Sequence, residues 1–198
     1  MNERAVLTVP GSLLTVQSIK SVSQRALLMY WASLAGHRRY PRLDEFCPET
    51  RLHDPHQFVF WNIEERGTHD RTFRALGQGR HLTEAFHANW EGKTMDQVIP
   101  PNVRDFILRT ANECADTGRP LYSILATIDA DGKRVDCERL LLPFGSFGRI
   151  NQLLGSLQLI SVDGRFERST ILARFEAQTQ VVLSGLIDLR VADVAGSL

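Results

Sequence analysis

The dipeptide Asp131-Gly132 limits the fold most, because it stands between two extended runs, Leu121 to Asp129 and Val135 to Phe144. Asp-Gly between strand-like residues marks a hairpin, since both central positions of the favoured tight turn need positive φ. A second turn-rich stretch, Gly145 to Gly148, leads into a third extended run, Ile150 to Ile160. Parallel neighbours need a crossover of a dozen or more residues, so strands joined by turns this short run antiparallel. The second half of the chain therefore predicts a meander.

The first half adds two strands and several helices. Gln57 to Glu65 (QFVFWNIEE) alternates and is rich in aromatics, which reads as a strand. After a turn at Gly67 to Asp70, Thr72 to Leu76 is a second, shorter strand, ended by Gly77 and Gly79. His81 to Trp90 places Leu82, Ala85, Phe86 and Trp90 on one helical face and is closed by Gly92. Thr94 to Ile99 is a further short turn or helix, cut by Pro100 and Pro101. The clearest helix follows, with Asn102 as its expected N-cap and a stripe of Val103, Phe106, Ile107, Thr110, Ala111 and Cys114. Gly118 ends it and Pro120 blocks continuation. Near the start, Ile19, Val22, Ala26, Met29, Tyr30 and Ser33 define another helical face. Ser21 and Gln24 have capping-box spacing, and Gly36 is the stop. Strands in two groups around helices predict an α+β fold rather than alternating βαβ units.

The totals narrow the function classes. A chain of 198 residues suits one domain with a sizeable core. Lys+Arg and Asp+Glu both number 23, which gives no electrostatic case for nucleic acid or an anionic membrane. No run approaches the roughly 18 apolar residues of a membrane span. Ala5 to Val16 is apolar, but Pro10 and Gly11 interrupt it and no small-x-small cleavage site follows, which argues against a signal peptide. Cys47, Cys114 and Cys137 are odd in number and widely spaced, so reduced thiols in a cytoplasmic protein are the simplest reading.

This order of elements resembles a PAS domain, in particular the single-domain PAS family common in alphaproteobacteria. The matching pieces run from about Ala26 to Ile160. They are Tyr30-Trp31 in LLMYWASLAGHRRYPRLDEFCP, the strand FVFWNIE, TFRALGQGRHLTEAF, and the Gly92 to Asp96 turn. Gly118-Arg119-Pro120, the Asp-Gly hairpin, ERLLLPFG and LLGSLQLI complete the set. The resemblance implies a PAS-like five-stranded antiparallel sheet with helices on one face. It also implies a non-enzymatic signalling module. The expected parts are a lead-in and amphipathic helix over 1–36, the PAS-like domain over 37–162, and a partly helical extension over 163–198.

Specific chemistry finds little support. Cys114 in N-E-C-A-D does not match the N-C-R-F-x-Q setting of flavin photoreceptors of this fold. The long helix lacks a haem-binding histidine, although His81 and His87 flank the helix before it. No cofactor is expected, with haem or an apolar metabolite as alternatives. His53 and His56 in H-D-P-H lack a third ligand and read as a solvated loop. Asp129 and Asp131 sit in a turn too short for a calcium loop. Hydrolase, nucleotide and zinc-protease motifs are missing, and Glu64-Glu65 point to opposite faces of a strand.

In a PAS fold Phe73, Leu76, Leu82, Phe86, Trp90, Phe106, Leu125 and Leu140 are the candidates to lie between sheet and helices. They are read first as packed core and second as the lining of an apolar ligand cavity. The leading expectation is a module acting through other signalling proteins, as a homodimer formed through Val22, Ala26, Met29 and Tyr30. A second apolar helix over Ser169 to Val182 would add to that contact. A small-molecule sensor is the alternative, and an enzyme on a similar cup-shaped fold comes third.

Overall fold

The strand that carries ERLLLPFG lies at the middle of a sheet covered on both sides. The structure, a computed structural model, describes residues 13–47, 54–65, 71–128, 133–161 and 179–189. Its strands are β1 (Leu13–Leu14), β2 (Phe58–Glu65), β3 (Arg71–Gln78), β4 (Leu121–Ile128), β5 (Arg134–Ser146), β6 (Arg149–Ser161) and β7 (Gln180–Ile187). They form one sheet in the order β1-β7-β4-β5-β6-β2-β3. From β4 to β3 every neighbouring pair is antiparallel, which is the predicted meander with the β2–β3 pair added beside β6. Asp131-Gly132 and the Gly67 to Asp70 turn lie outside the described residues, but Ile128 pairs with Arg134 across the first of them. The second turn is described. Its Phe147 and Gly148 both have positive φ, 52° and 78°, as a tight hairpin requires.

Among the described residues the sheet has seven strands, not five. β7 lies antiparallel along β4, and β1 pairs parallel with β7. Most of the expected helix over Ser169 to Val182 lies outside the described residues, but its last part, including Val182, belongs to strand β7. The sequence Gln180–Ile187 (QVVLSGLI) is β-branched and suits a strand. It covers the β4 edge, which would otherwise expose unpaired backbone groups.

Among the described residues four α-helices accompany the sheet: α1 (Val22–Ala35), α2 (Arg80–Phe86), α3 (Met95–Val98) and α4 (Pro101–Thr117). The long helix α4 begins one residue earlier than Asn102. Pro100 is its N-cap and Pro101 stands at the first helical position, where the missing N–H costs nothing. Gly118 closes it with φ 63°. Helices are not confined to one face. Residues of α2, α3 and α4 pack with Val59, Trp61, Phe73, Leu125 and Leu141 in one core cluster. Helix α1 and Phe46 pack on the other face with Phe58, Tyr122, Leu140, Leu142 and Leu154. Accordingly β5 is buried on both sides over nearly its whole length.

Helix α1 packs on the sheet through a different side from the helical face that its spacing defines. Gln24, Leu27, Leu28, Trp31 and Ala35 are buried, whereas Val22 is 72% and Met29 49% exposed. Ala26 and Tyr30 are half-buried. The helix is apolar around most of its circumference, so periodicity leaves the inward side ambiguous and polar anchors choose it. The Ser21 hydroxyl accepts from the Gln24 backbone N–H, as an N-cap does. The Gln24 side chain, however, donates through Nε2 to the Ser156 carbonyl at 2.9 Å and the Glu138 carbonyl at 3.3 Å. Trp31 Nε1 donates to the Pro143 carbonyl at 2.9 Å.

Candidate functional site

Between the sheet and helices α2 to α4 lies a cavity of about 60 Å³, roughly two water molecules at their volume in the liquid. Alternation along the strands builds its floor. Val59 and Trp61 of β2, Leu125 of β4, Cys137, Arg139 and Leu141 of β5, and Gly155 and Leu157 of β6 face it. Phe86, Trp90, Met95, Val103 and Ile107 form the roof, with Val98, Ile99 and Pro100 at one side. Trp61 and Trp90 stack at 6.1 Å between ring centroids, and Phe86 lies 4.9 Å from Trp90. Such aromatic pairs add to the cohesion of the wall beyond the area they bury.

One lining residue is charged. Arg139 is only 5% exposed. Its Nη1 donates to Thr110 Oγ1 at 2.8 Å and its Nη2 to the Ile107 carbonyl at 3.4 Å, both on α4. It forms no ion pair among the described residues. Its neighbours along β5, Asp136 and Glu138, point to the other face of the sheet. There Asp136 pairs with Lys20 and Arg134, and Glu138 accepts from the Tyr122 hydroxyl and the Ser21 backbone N–H. Burial lowers the Arg139 pKa to about 10, so the group remains a cation at neutral pH. Cys114 and Cys137 lie nearby, and burial raises both thiols, Cys137 to about 12. They are therefore neutral and supply no counter-charge.

Of the residues expected between sheet and helices, Phe86, Trp90 and Leu125 line this cavity. Phe73 and Leu82 are buried in the surrounding core, and Phe106 packs at its margin with the Arg109 guanidinium 5.7 Å from its ring. Leu76 and Leu140 do not belong. Leu76 is 48% exposed, and Leu140, one residue from Arg139, must point to the α1 side because strand residues alternate. Neither histidine considered for haem lines the cavity. His81 sits beside Asp54 at 3.1 Å, and His87 is an exposed helix cap. His53 lies outside the described residues. Among those described, no group of three or more metal-ligating side chains occurs. Glu64 pairs with Arg74 and Glu65 with Arg149, so the two carboxylates serve separate surface contacts.

Arg139 was not singled out in the sequence. The available signal was a charged residue inside the otherwise apolar run Arg139–Phe144, on a strand whose alternation points it to the same side as Cys137 and Leu141.

A family model described as PAS domain matches residues 19–158. The chain belongs to the PAS domain family. No curated protein and no solved structure matches it. As a PAS domain the chain is a signalling or sensory module, and the match covers α1, β2 to β5, α2 to α4 and β6 as far as residue 158. No helix among the described residues is long and apolar enough to cross a membrane.

Proposed function

We propose that this PAS domain is a small-molecule sensor whose cavity reports occupancy to helix α1 on the opposite face of the sheet. One observation carries the reading: the sheet anchors of Ser21 and Gln24, at the start of α1, stand next in sequence to cavity-lining residues on two strands. On β5, Arg139 lines the cavity while Glu138 receives the Ser21 N–H and offers its carbonyl to Gln24. On β6, Gly155 lines the cavity while Ser156 offers its carbonyl to Gln24. A packed interior transmits small displacements rather than absorbing them, so a ligand that moves either strand moves the attachment of α1. The cavity is small, and a ligand of more than a few heavy atoms displaces side chains to enter. Met95, unbranched and adaptable, and the Val98–Pro100 side of the wall are the parts suited to yield.

The test is amide hydrogen exchange with and without 1-octanol as an apolar probe. Added protection near the cavity together with altered protection over residues 22–35 supports the reading. A response confined to the cavity removes the coupling, and no response at either place removes the site.

The output surface we propose is the outward side of α1. Val22 and Met29 remain exposed there although the inward side is already buried, and a second copy of the chain is the proposed occupant. Light scattering tests it: a dimer gives about twice 22.4 kDa, and Val22→Asp with Met29→Asp returns it to the monomer mass. A monomeric wild-type chain refutes it.

A further inference from the structure

We propose that Arg139 is the charge-recognition point of the cavity and that the ligand is a monocarboxylic acid with an apolar body. The inference rests on the sensor reading above and names the class of molecule sensed.

Arg139 is a buried cation in an apolar wall. A guanidinium has five N–H donors. The contacts to Thr110 and Ile107 occupy two of them, and the longer is 3.4 Å. Removing a charge from water is costly unless a partner and further hydrogen bonds compensate. Asp136 and Glu138 precede Arg139 on the strand but are committed on the opposite face of the sheet. The thiols of Cys114 and Cys137 are neutral. The missing compensation is an anion delivered from the cavity side.

The rest of the wall decides which anion. A carboxylate matches the planar fork of arginine with two parallel hydrogen bonds. Phosphate or a dicarboxylate would bring further charge, and among the described residues Arg139 is the only charged one on a lining otherwise made of Trp61, Phe86, Trp90, Leu125, Ile107 and similar side chains. One negative charge at one end and hydrocarbon elsewhere is the chemistry that satisfies both parts. A purely structural role, fastening β5 to α4, would explain the two contacts made but not the unused donors.

The test compares acids with their neutral amides: butyrate, octanoate and phenylacetate against butyramide, octanamide and phenylacetamide. Binding to the full chain is followed by calorimetry and by the fluorescence of Trp61 and Trp90 in the cavity wall. The best acid is expected to bind the wild type at least about tenfold tighter than its amide, as a hydrogen-bonded charge implies. In Arg139→Met the preference should fall to near unity while the amide still binds. Arg139→Gln serves the same purpose if the methionine variant does not fold, and the wild-type comparison needs no variant at all. Equal binding of acid and amide to the wild type would overturn the role of Arg139 and leave the sensor reading standing. Failure of every acid and every amide to bind would remove both.

Discussion

Replacing Trp31 with alanine tests the docking of α1 on the sheet, on which both the coupling and the proposed output surface depend. The indole is 2% exposed. It belongs to the cluster with Leu28, Phe58, Tyr122 and Leu142, and its Nε1 donates to the Pro143 carbonyl of β5. Truncating a buried tryptophan costs about 3–5 kcal/mol, through lost transfer energy and the cavity left behind. Loss of the Nε1 donor leaves the Pro143 carbonyl short of a partner, which places the cost in the upper part of that range. With a urea slope of about 2 kcal/mol per molar, the unfolding midpoint should fall by about 2 M. Met29, on the outward side of the same helix, provides the control. Met29→Ala should change stability by no more than about 0.5 kcal/mol, as for an exposed position. Urea titrations of both variants, followed by circular dichroism, read the contrast. Similar small shifts for the two would show that α1 does not lie on this sheet in solution, and the coupling argument would fall with it.

Ending the chain at residue 178 removes β7, uncovers the backbone edge of β4, and should give a protein that associates or precipitates by size-exclusion chromatography; a well-behaved product would show that β7 is dispensable. Ellman's reagent should label the exposed Cys47 in the native protein and reach Cys114 and Cys137 only on unfolding. The buried thiols also set a pH dependence. Above their ordinary value of 9.0 the unfolded chain releases protons that the folded chain retains up to about 12 at Cys137. The folded state then binds more protons, so stability should fall as pH rises through that window. Denaturation midpoints on either side of pH 9 check the sign. At the β5–β6 turn Phe147 is fully exposed with φ 52°, a region that costs a bulky residue about 1–2 kcal/mol, so Phe147→Asn should raise the urea midpoint; a lower midpoint would mean that the ring has a packing partner.

Much of the central sheet was legible because its signals are local. The turn at 145–148 and the alternating β2 residues needed only neighbours to be read. The two added strands were not legible in the same way. β7 is held by pairing with β4, more than fifty residues earlier, and β1 has only two residues, so neither has a period that a sequence window can register. The side of α1 that meets the sheet was not legible for a related reason. An apolar residue occurs on nearly every side of that helix, and the deciding contacts, Gln24 to Ser156 and Trp31 to Pro143, cross more than a hundred residues. At the site, Phe86, Trp90 and Leu125 could be placed by pattern. Excluding Leu140 and noticing Arg139 required the register of β5, because adjacent residues on that strand serve opposite cores.

Native mass spectrometry of the 198-residue protein tests whether this PAS domain holds a small molecule between its sheet and helices. Spectra are taken as purified and after incubation with octanoate. The expected result is a discrete small-molecule adduct on the folded chain, lost on denaturation and competed by added octanoate, or formed with octanoate where the purified protein is bare. A chain that carries no adduct under either condition, while remaining folded, would contradict it.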